Sequence, residues 1–310
     1  MKQNSIKIAI IQESPAYYDL EGSIEKASHL ASEAADKGAD LVVFGESWFT
    51  GYPAWLDSSP EAAYWDHEPV KNAFTTMYKN SIDLQDSQFR KLADIAKKNS
   101  VILATGFNEI VSSGPGQGTI YNSFMILDNN GKLIMHHRKL MPTYTERMVY
   151  GQGAGNDLKS ADTAFGKVGG LICWEHWMPL ARQAMHNSGE VIHIAVWPTV
   201  HEMHQIASRH YAFEGRCYVV AVGQIMMAED IPEGIKLPEK RSGEDRMMVM
   251  NGGSCVIGPD GKYLLEPQFD QAGILYINIE DLDRVIGERM NLDTSGHYQR
   301  ADVFEFNLRV

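Results

Sequence analysis

Cysteine is scarce in this chain. Three occur in 310 residues, Cys173, Cys217 and Cys255, with no Cys-x-x-Cys spacing among them. A scattered, odd-numbered set excludes a disulfide framework and offers no zinc site, and it points to a reducing compartment, the cytoplasm. Positive charge is also in deficit: 28 Lys and Arg against 40 Asp and Glu leave a net charge of −12. A surface of that sign repels nucleic-acid phosphates and anionic lipid headgroups, so neither is expected as a partner. No run approaches the roughly 20 apolar residues that span a bilayer, and no apolar signal segment precedes the first strand pattern. Glycines 114, 116 and 118 fit neither the dinucleotide nor the P-loop spacing, and no Lys-Ser or Lys-Thr follows them. Ser112 to Thr119 is therefore expected to be a hairpin turn rather than a phosphate loop. Linkers and low-complexity segments are missing as well.

What the chain does have is a normal 44% hydrophobic share arranged as alternating strand and helix patterns. Ile6 to Ile11 is an apolar strand. Glu21 to Lys37 carries Ile24, Ala27, Leu30, Ala31 and Ala34 at helical spacing, and Gly38 closes it. Asp40 to Phe44 is a second strand, so the opening is a βαβ unit with parallel pairing. A mixed stretch runs from Pro60 to Asn80, a helix from Phe89 to Lys98 and a third strand from Val101 to Thr105. Asp128-Asn129-Asn130-Gly131 joins strands Ile120–Leu127 and Lys132–His136 as a hairpin. Leu140 to Asp157 reads as an irregular loop. Strand Lys167–Cys173, helix Leu180–Asn187, strand Val191–Val196, helix His201–Gly215 and strand Cys217–Val222 repeat the alternation. Met226 to Met250, rich in charge, is expected to be an exposed excursion. Strands at 254–257, 263–265 and 274–279 and a helix over 281–289 close the fold. The pattern predicts an α/β protein forming a single domain over 1–310, with 290–310 as a C-terminal tail at an interface.

Three residues sit where strands end. Cys173 closes one strand shortly before Pro179, a residue suited to the first turn of a helix. In open α/β sheets ligands bind at the carboxyl ends of strands, and a nearby helix amino terminus would lower a thiol's pKa. Glu46 lies just past the second strand, and Lys139 directly follows a hairpin strand. A thiol, a carboxylate and an ammonium group can make a hydrolytic site: a nucleophile, a base that takes its proton, and a charge that stabilises the anion formed. Each residue also has a plain structural reading, as a core cysteine, a solvated or capping glutamate and a surface lysine. Spacing alone does not decide between the two.

Longer motifs carry a resemblance. Gly45 to Pro53 reads Gly-Glu-Ser-Trp-Phe-Thr-Gly-Tyr-Pro. His137 to Thr143 reads His-Arg-Lys-Leu-Met-Pro-Thr, followed by Glu146-Arg147 and Gly151-Gln152-Gly153. Cys173-Trp174-Glu175 is followed by Met178-Pro179-Leu180, and Ser295 to Phe304 forms a tail motif. Together these resemble the nitrilase branch of the carbon–nitrogen hydrolase superfamily. The resemblance implies an α-β-β-α sandwich that pairs to α-β-β-α-α-β-β-α in a dimer or larger homo-oligomer. It implies Cys173 as nucleophile, Glu46 as general base, Lys139 as stabiliser of the charged intermediate and Glu146 as auxiliary carboxylate. The implied reaction is hydrolysis of a small-molecule nitrile to carboxylic acid and ammonia through a thioimidate and an acyl thioester. No cofactor and no metal are needed. An amidase or carbamoylase could use the same residues, and a non-catalytic assembly protein could share the fold. The chain departs from the family pattern at His176 (asparagine in many relatives), Trp177, Tyr150, Ala154 and Ala301. These positions bear on pocket shape rather than on the core chemistry.

Around the strand ends, Trp174, Tyr52, Trp197 and His201 are candidates to bind substrate, and Trp48, Phe49 and Trp177 add to an aromatic cluster. His201 and His204 are three apart, one short of the zinc-protease spacing, with no third ligand evident, so a metal site is not expected. Cys217 and Cys255 lie in strand patterns and are expected to be structural.

Overall fold

The computed structural model describes residues 3–233 and 248–309. The chain opens with β1 (Ile6–Gln12), α1 (Leu20–Asp36) and β2 (Leu41–Val43), followed by α2 (Trp55–Ser58), α3 (Glu68–Lys79) and α4 (Ser87–Asn99). Then come β3 (Ile102–Ile110), β4 (Ile120–Leu127) and β5 (Leu133–Arg138). The second half runs through β6 (Ala161–Thr163), β7 (Gly166–Ile172), α5 (Pro179–Asn187), β8 (Ile192–Val196), α6 (Glu202–Gly215) and β9 (Tyr218–Val222). It closes with β10 (Ile225–Met227), β11 (Met248–Ile257), β12 (Tyr263–Phe269), β13 (Gly273–Ile279) and α7 (Arg284–Glu288).

Two sheets result. The first has the order β13-β1-β2-β3-β4-β5 and the second β10-β11-β9-β8-β7-β6, with β12 paired to β11. β1, β2 and β3 pair in parallel, as do β7, β8 and β9, while hairpins extend both sheets in antiparallel fashion. The period of two along each strand sorts the apolar residues by face. Ile8 and Ile10 of β1 point into a core shared with Val168, Leu171, Ile194 and Val220 of the second sheet. Ala9 and Ile11 point the other way, onto Ala27, Leu30 and Ala31 of α1 and Leu92 and Ile95 of α4. On the far side, Ala181, Ala184 and Met185 of α5 and Ala207, Tyr211 and Ala212 of α6 cover the second sheet. The layers are therefore helix, sheet, sheet, helix. Each fully buried Val, Leu or Ile between them contributes roughly 1.5–3 kcal/mol.

Local signals fix the element ends. The Asp19 side chain accepts from the Gly22 N–H at 3.0 Å and caps α1, and Gly38 turns the chain after it at φ +80°. Pro179 sits in the first turn of α5. Beyond strand ends that run longer than expected, the structure differs from the sequence expectations at several elements. The mixed stretch Pro60 to Asn80 contains α3, whose apolar face is Val70, Ala73, Phe74 and Met77, with only Ala73 and Met77 buried. β6 is a three-residue strand too short to register as a pattern. α7 is shorter than the 281–289 helix expected. The ends of the expected excursion Met226 to Met250 are not exposed: β10 pairs with β11, and Met226 and Met250 are buried. The rest of that excursion, 234–247, lies outside the described residues.

Candidate active site

Three segments at the carboxyl ends of strands, after β2, β5 and β7, supply the four side chains of the site. Glu46 lies in the turn after β2, and Gly106 of β3 lets that turn come close: a Cβ there would stand 2.7 Å from the Glu46 Cα and 2.5 Å from the Ser47 nitrogen. Lys139 directly follows β5, its N–H donating to the Asn122 carbonyl at 2.8 Å. Glu146 lies in a single 3-10 turn, Tyr144–Met148, where its carboxylate accepts from the Thr143 N–H at 2.8 Å. Cys173 directly follows β7 and holds a left-handed φ of 50°, a conformation that costs energy for any side chain but glycine.

The side chains meet in a buried cluster. Lys139 Nζ donates to Glu46 Oε1 at 3.0 Å and to Glu146 Oε2 at 2.8 Å, with all three side chains buried. Asn122 Nδ2 donates to the same Glu46 Oε1 at 2.7 Å, and Tyr52 OH donates to Glu146 Oε1 at 2.8 Å. Glu46 Oε2, also buried, accepts no hydrogen bond among the described residues. From the second sheet, Gln224 Nε2 donates to the Glu46 carbonyl and ties the base loop to the end of β9.

Electrostatics follow from this packing. Burial raises the Glu46 carboxyl to about 7, with Glu146 adding to the rise and Lys139 and Asn122 opposing it. Burial works against the Lys139 charge, yet the carboxylates of Glu146 and Glu46 outweigh it and hold the ammonium well above its usual range. The Cys173 thiol is pushed well up by burial and by the Glu46 charge, against the pull of Lys139 and of the Trp174 backbone N–H that faces the sulfur. The lowered thiol pKa expected from the helix amino terminus is thus reversed. The resting sulfur keeps its proton, and a neighbouring base is needed to remove it.

A second buried network braces the loops. The Glu175 carboxylate accepts from the N–H of Leu140 at 2.8 Å, next to Lys139, and from the N–H of Ile172 at 2.7 Å, next to Cys173. His137 bridges Glu175 at 2.9 Å and Asp157 at 2.8 Å. Burial opposes its charge, but the two carboxylates hold it as an imidazolium with a pKa of about 10.

Of the residues expected from sequence, Cys173, Glu46, Lys139, Glu146 and Tyr52 come together. His201 caps α6 and lines a cavity of about 280 Å³ with Tyr52, Ala54, Thr199 and His204. Trp197 and Trp174 do not line it. The Trp197 ring is buried, stacked against His176 on one side and His204 on the other. The Trp174 side chain is half exposed. Trp48 and Phe49 belong to the core between the first sheet and its helices. Asn122, Gln224, His137 and Asp157 were not singled out from sequence, although Asn122, which with Ser123 interrupts an otherwise apolar strand, offered a signal.

Comparison with known proteins decides the family. The carbon–nitrogen hydrolase family model matches residues 7–286. The chain belongs to the carbon–nitrogen hydrolase family. It is 34% identical to an aliphatic nitrilase of Rhodococcus rhodochrous over 98% of this chain and 79% of that enzyme. It is 35% identical to an arylacetonitrilase of Macrophomina phaseolina over 96% of this chain and 90% of that enzyme. These relatives put it in the nitrilase branch of the carbon–nitrogen hydrolases. Among solved structures, a carbon–nitrogen hydrolase from Helicobacter pylori superposes with a TM-score of 0.73 at 19% identity, covering 98% of this chain and all of that one. At that identity the likeness speaks for the carbon–nitrogen hydrolase sandwich alone.

Proposed function

We propose that the protein is a nitrilase, converting an organic nitrile and two waters to a carboxylic acid and ammonia. The observation that carries this reading is the buried contact of Lys139 with Glu46 and Glu146 beside the Cys173 thiol. Glu46 takes the thiol proton on Oε2, the oxygen with no other partner. The sulfur attacks the nitrile carbon and forms a C–S bond, and the nitrogen takes up a proton to give the thioimidate. Lys139 and the Trp174 N–H stabilise negative charge as it develops. Glu46 then deprotonates a water that adds to the thioimidate carbon, and ammonia leaves to give the acyl thioester. A second water, activated in the same way, releases the acid and restores the thiol. Glu146 holds the lysine charge in place and is itself held by Tyr52 and the Thr143 N–H.

Substrate enters, in this reading, through the 280 Å³ cavity that Tyr52 and His201 line. Its polar and apolar walls suit a compact nitrile. Trp174 and Trp197 then act through the backbone N–H and through packing rather than by side-chain contact. The protein works in the cytoplasm as a homodimer or larger homo-oligomer. Leu180 of α5 and Met203, Ile206 and Phe213 of α6 are exposed on the helical layer over the second sheet, and Tyr298, Val303 and Phe304 are exposed on the tail. Such a surface is what a partner copy would cover, and it supports a single domain whose tail, 290–310, lies at the interface.

A panel of aliphatic, aryl and arylaceto nitriles tests the assignment, with acid, amide and ammonia all quantified beside a Cys173→Ala control. Acid and ammonia in equal amounts, absent in the control, are expected. Turnover of the matching amides with no nitrile consumed would instead identify an amidase.

A further inference from the structure

Behind Cys173 runs a line of buried polar groups that the chemistry above does not use. His176 Nδ1 lies 2.7 Å from the Cys173 carbonyl oxygen, and His176 Nε2 lies 3.0 Å from His193 Nε2. His193 Nδ1 lies 2.8 Å from Glu190 Oε1, and Tyr211 OH donates to Glu190 Oε2 at 2.6 Å. All four side chains are at most 2% exposed. Gly169 of β7 makes the room: a Cβ there would stand 2.0 Å from Glu190 Oε1.

Hydrogen-bond logic fixes the protons along this line. A carbonyl oxygen only accepts, so His176 carries its proton on Nδ1. With a neutral His176, Nε2 is an acceptor, and His193 must donate from its own Nε2. A neutral His193 then presents a bare Nδ1, which needs a donor from residue 190. The remaining oxygen of Glu190 accepts from Tyr211. Every contact is satisfied when Glu190 is a carboxylic acid and both imidazoles are neutral. Moving a proton inward to make an ion pair keeps the same count but separates charge in a dry interior, which is costly. Burial acts in the same sense on each group. It raises Glu190 to about 7, lowers His176 to about 3 and lowers His193 well below its usual value. The charged and titratable groups facing Glu190 and the imidazoles from the packed elements are His186 and Arg182 of α5, Tyr211 and Glu214 of α6, Glu175, Cys217 and Arg289, whose guanidinium donates to the Glu190 carbonyl at 3.0 Å.

The first contact of this line reaches the reacting atoms. The Cys173 carbonyl and the Trp174 N–H are the two ends of one planar trans peptide group, so fixing the oxygen fixes the direction of the N–H. That N–H faces the sulfur. We infer that His176, His193 and Glu190 form a positioning chain, anchored by Tyr211, that orients the 173–174 peptide so that its N–H stabilises the Cys173 thiolate and the anion formed on substrate. The inference rests on Cys173 being the nucleophile of the proposed nitrilase, and it makes Glu190 an uncharged donor rather than a buried base.

The test compares Glu190→Gln, Glu190→Met and His193→Phe in the full chain. Folding is checked by near-ultraviolet circular dichroism. Alkylation of Cys173 by iodoacetamide is followed against pH from the mass of its peptide, and kcat and KM are measured on the nitrile that the wild type turns over fastest. The glutamine amide can donate to His193 and accept from Tyr211, so E190Q is expected to stay close to wild type. Glu190→Met and His193→Phe lose the donor. For both, the alkylation profile is expected to move up by about one pH unit and kcat to fall about tenfold at unchanged KM, since one weakened N–H contact is lost from the charged state. A folded E190M or H193F with an unmoved profile overturns the inference, as does an E190Q as impaired as E190M. If the two apolar variants do not fold, His176→Phe keeps a ring against Trp197 and removes the donor to Cys173 together with the acceptor for His193, and an unmoved profile there overturns the inference equally. Alkylation needs no substrate, so it stays readable if no nitrile is turned over; that result would sink the nitrilase assignment separately.

Discussion

Lys139 Nζ and Glu46 Oε1 stand 3.0 Å apart with both side chains fully buried, joining a residue that follows the first sheet's edge hairpin to one that follows its second strand. An ammonium in this setting is tolerated because two carboxylates face it. Removing it in Lys139→Met leaves Glu46 and Glu146 buried against each other. A loss of about 3–5 kcal/mol is expected from an uncompensated buried charge, read as a lower denaturant midpoint, together with loss of nitrile turnover.

Glu46→Gln keeps the size of the side chain and removes the base. With the thiol pushed above its usual range by burial, the neutral amide cannot take its proton. A fall in kcat of roughly 10²–10⁴-fold is expected, with the fold intact by circular dichroism. A variant that keeps more than a tenth of wild-type turnover would remove Glu46 from the mechanism.

The same carboxyl sets a pH dependence. Its pKa of about 7 means that the active, ionised base appears as pH rises through that value. The pH profile of kcat/KM should therefore show an acidic limb centred near 7, with activity lost below it. A flat profile between pH 5 and about 8 would contradict the assignment.

His137 gives the opposite signature in stability. Its folded pKa of about 10 lies above the ordinary 6.5, so folding is favoured by its charge below 6.5 and loses that contribution as pH rises through 10. The melting temperature of the wild type is expected to fall more steeply from pH 7 to about 10 than that of His137→Gln. Parallel curves for the two proteins would show that the imidazolium between Glu175 and Asp157 carries no such weight.

The proposed assembly would bury the helical layer over the second sheet. Leu180 is 70% and Ile206 47% exposed there. A glutamate at either position puts charge where an apolar partner face would sit. Leu180→Glu and Ile206→Glu are expected to shift the solution mass, by light scattering, from a dimer or larger species to 34.7 kDa. Unchanged mass in both would place the interface elsewhere.

Much of this was legible in the chain itself. Glu46, Lys139 and Cys173 each stand at the end of a strand pattern, and motif context turned three modest readings into one site. The alternation of strand and helix shows the α/β class because Ile8, Ile10, Ala27 and Leu30 repeat at the periods of two and 3.6 that faces demand, while the four-layer order comes from the resemblance alone. Other features were hidden for physical reasons. The apolar spacing of Val70, Ala73, Phe74 and Met77 is present, but Val70 and Phe74 are only partly buried, and the stretch reads as mixed. The exposure of Trp174 and the burial of Trp197 depend on which way each side chain turns after its strand, which local pattern does not encode. The thiol's pKa runs opposite to the sequence expectation because a helix terminus is a weak influence beside full burial and a carboxylate. His176 registered only as a departure from relatives. Its role depends on His193 and Glu190, brought beside it by parallel pairing of β7 with β8.

The contact from Gln224 to the Glu46 carbonyl has a further consequence. Base and ammonium hang from one sheet, thiol and glutamine from the other, and their mutual placement is inherited from how the two sheets slide and seat on each other. Phe124 of the first sheet presses so closely on β7 that a Cβ on Gly170 would stand 2.6 Å from its ring. A small slip at that seam would uncouple the reacting groups while every strand remained hydrogen-bonded. Turnover in this molecule is therefore a gauge of sheet alignment, and it should fade on warming before the spectroscopic signature of the fold does.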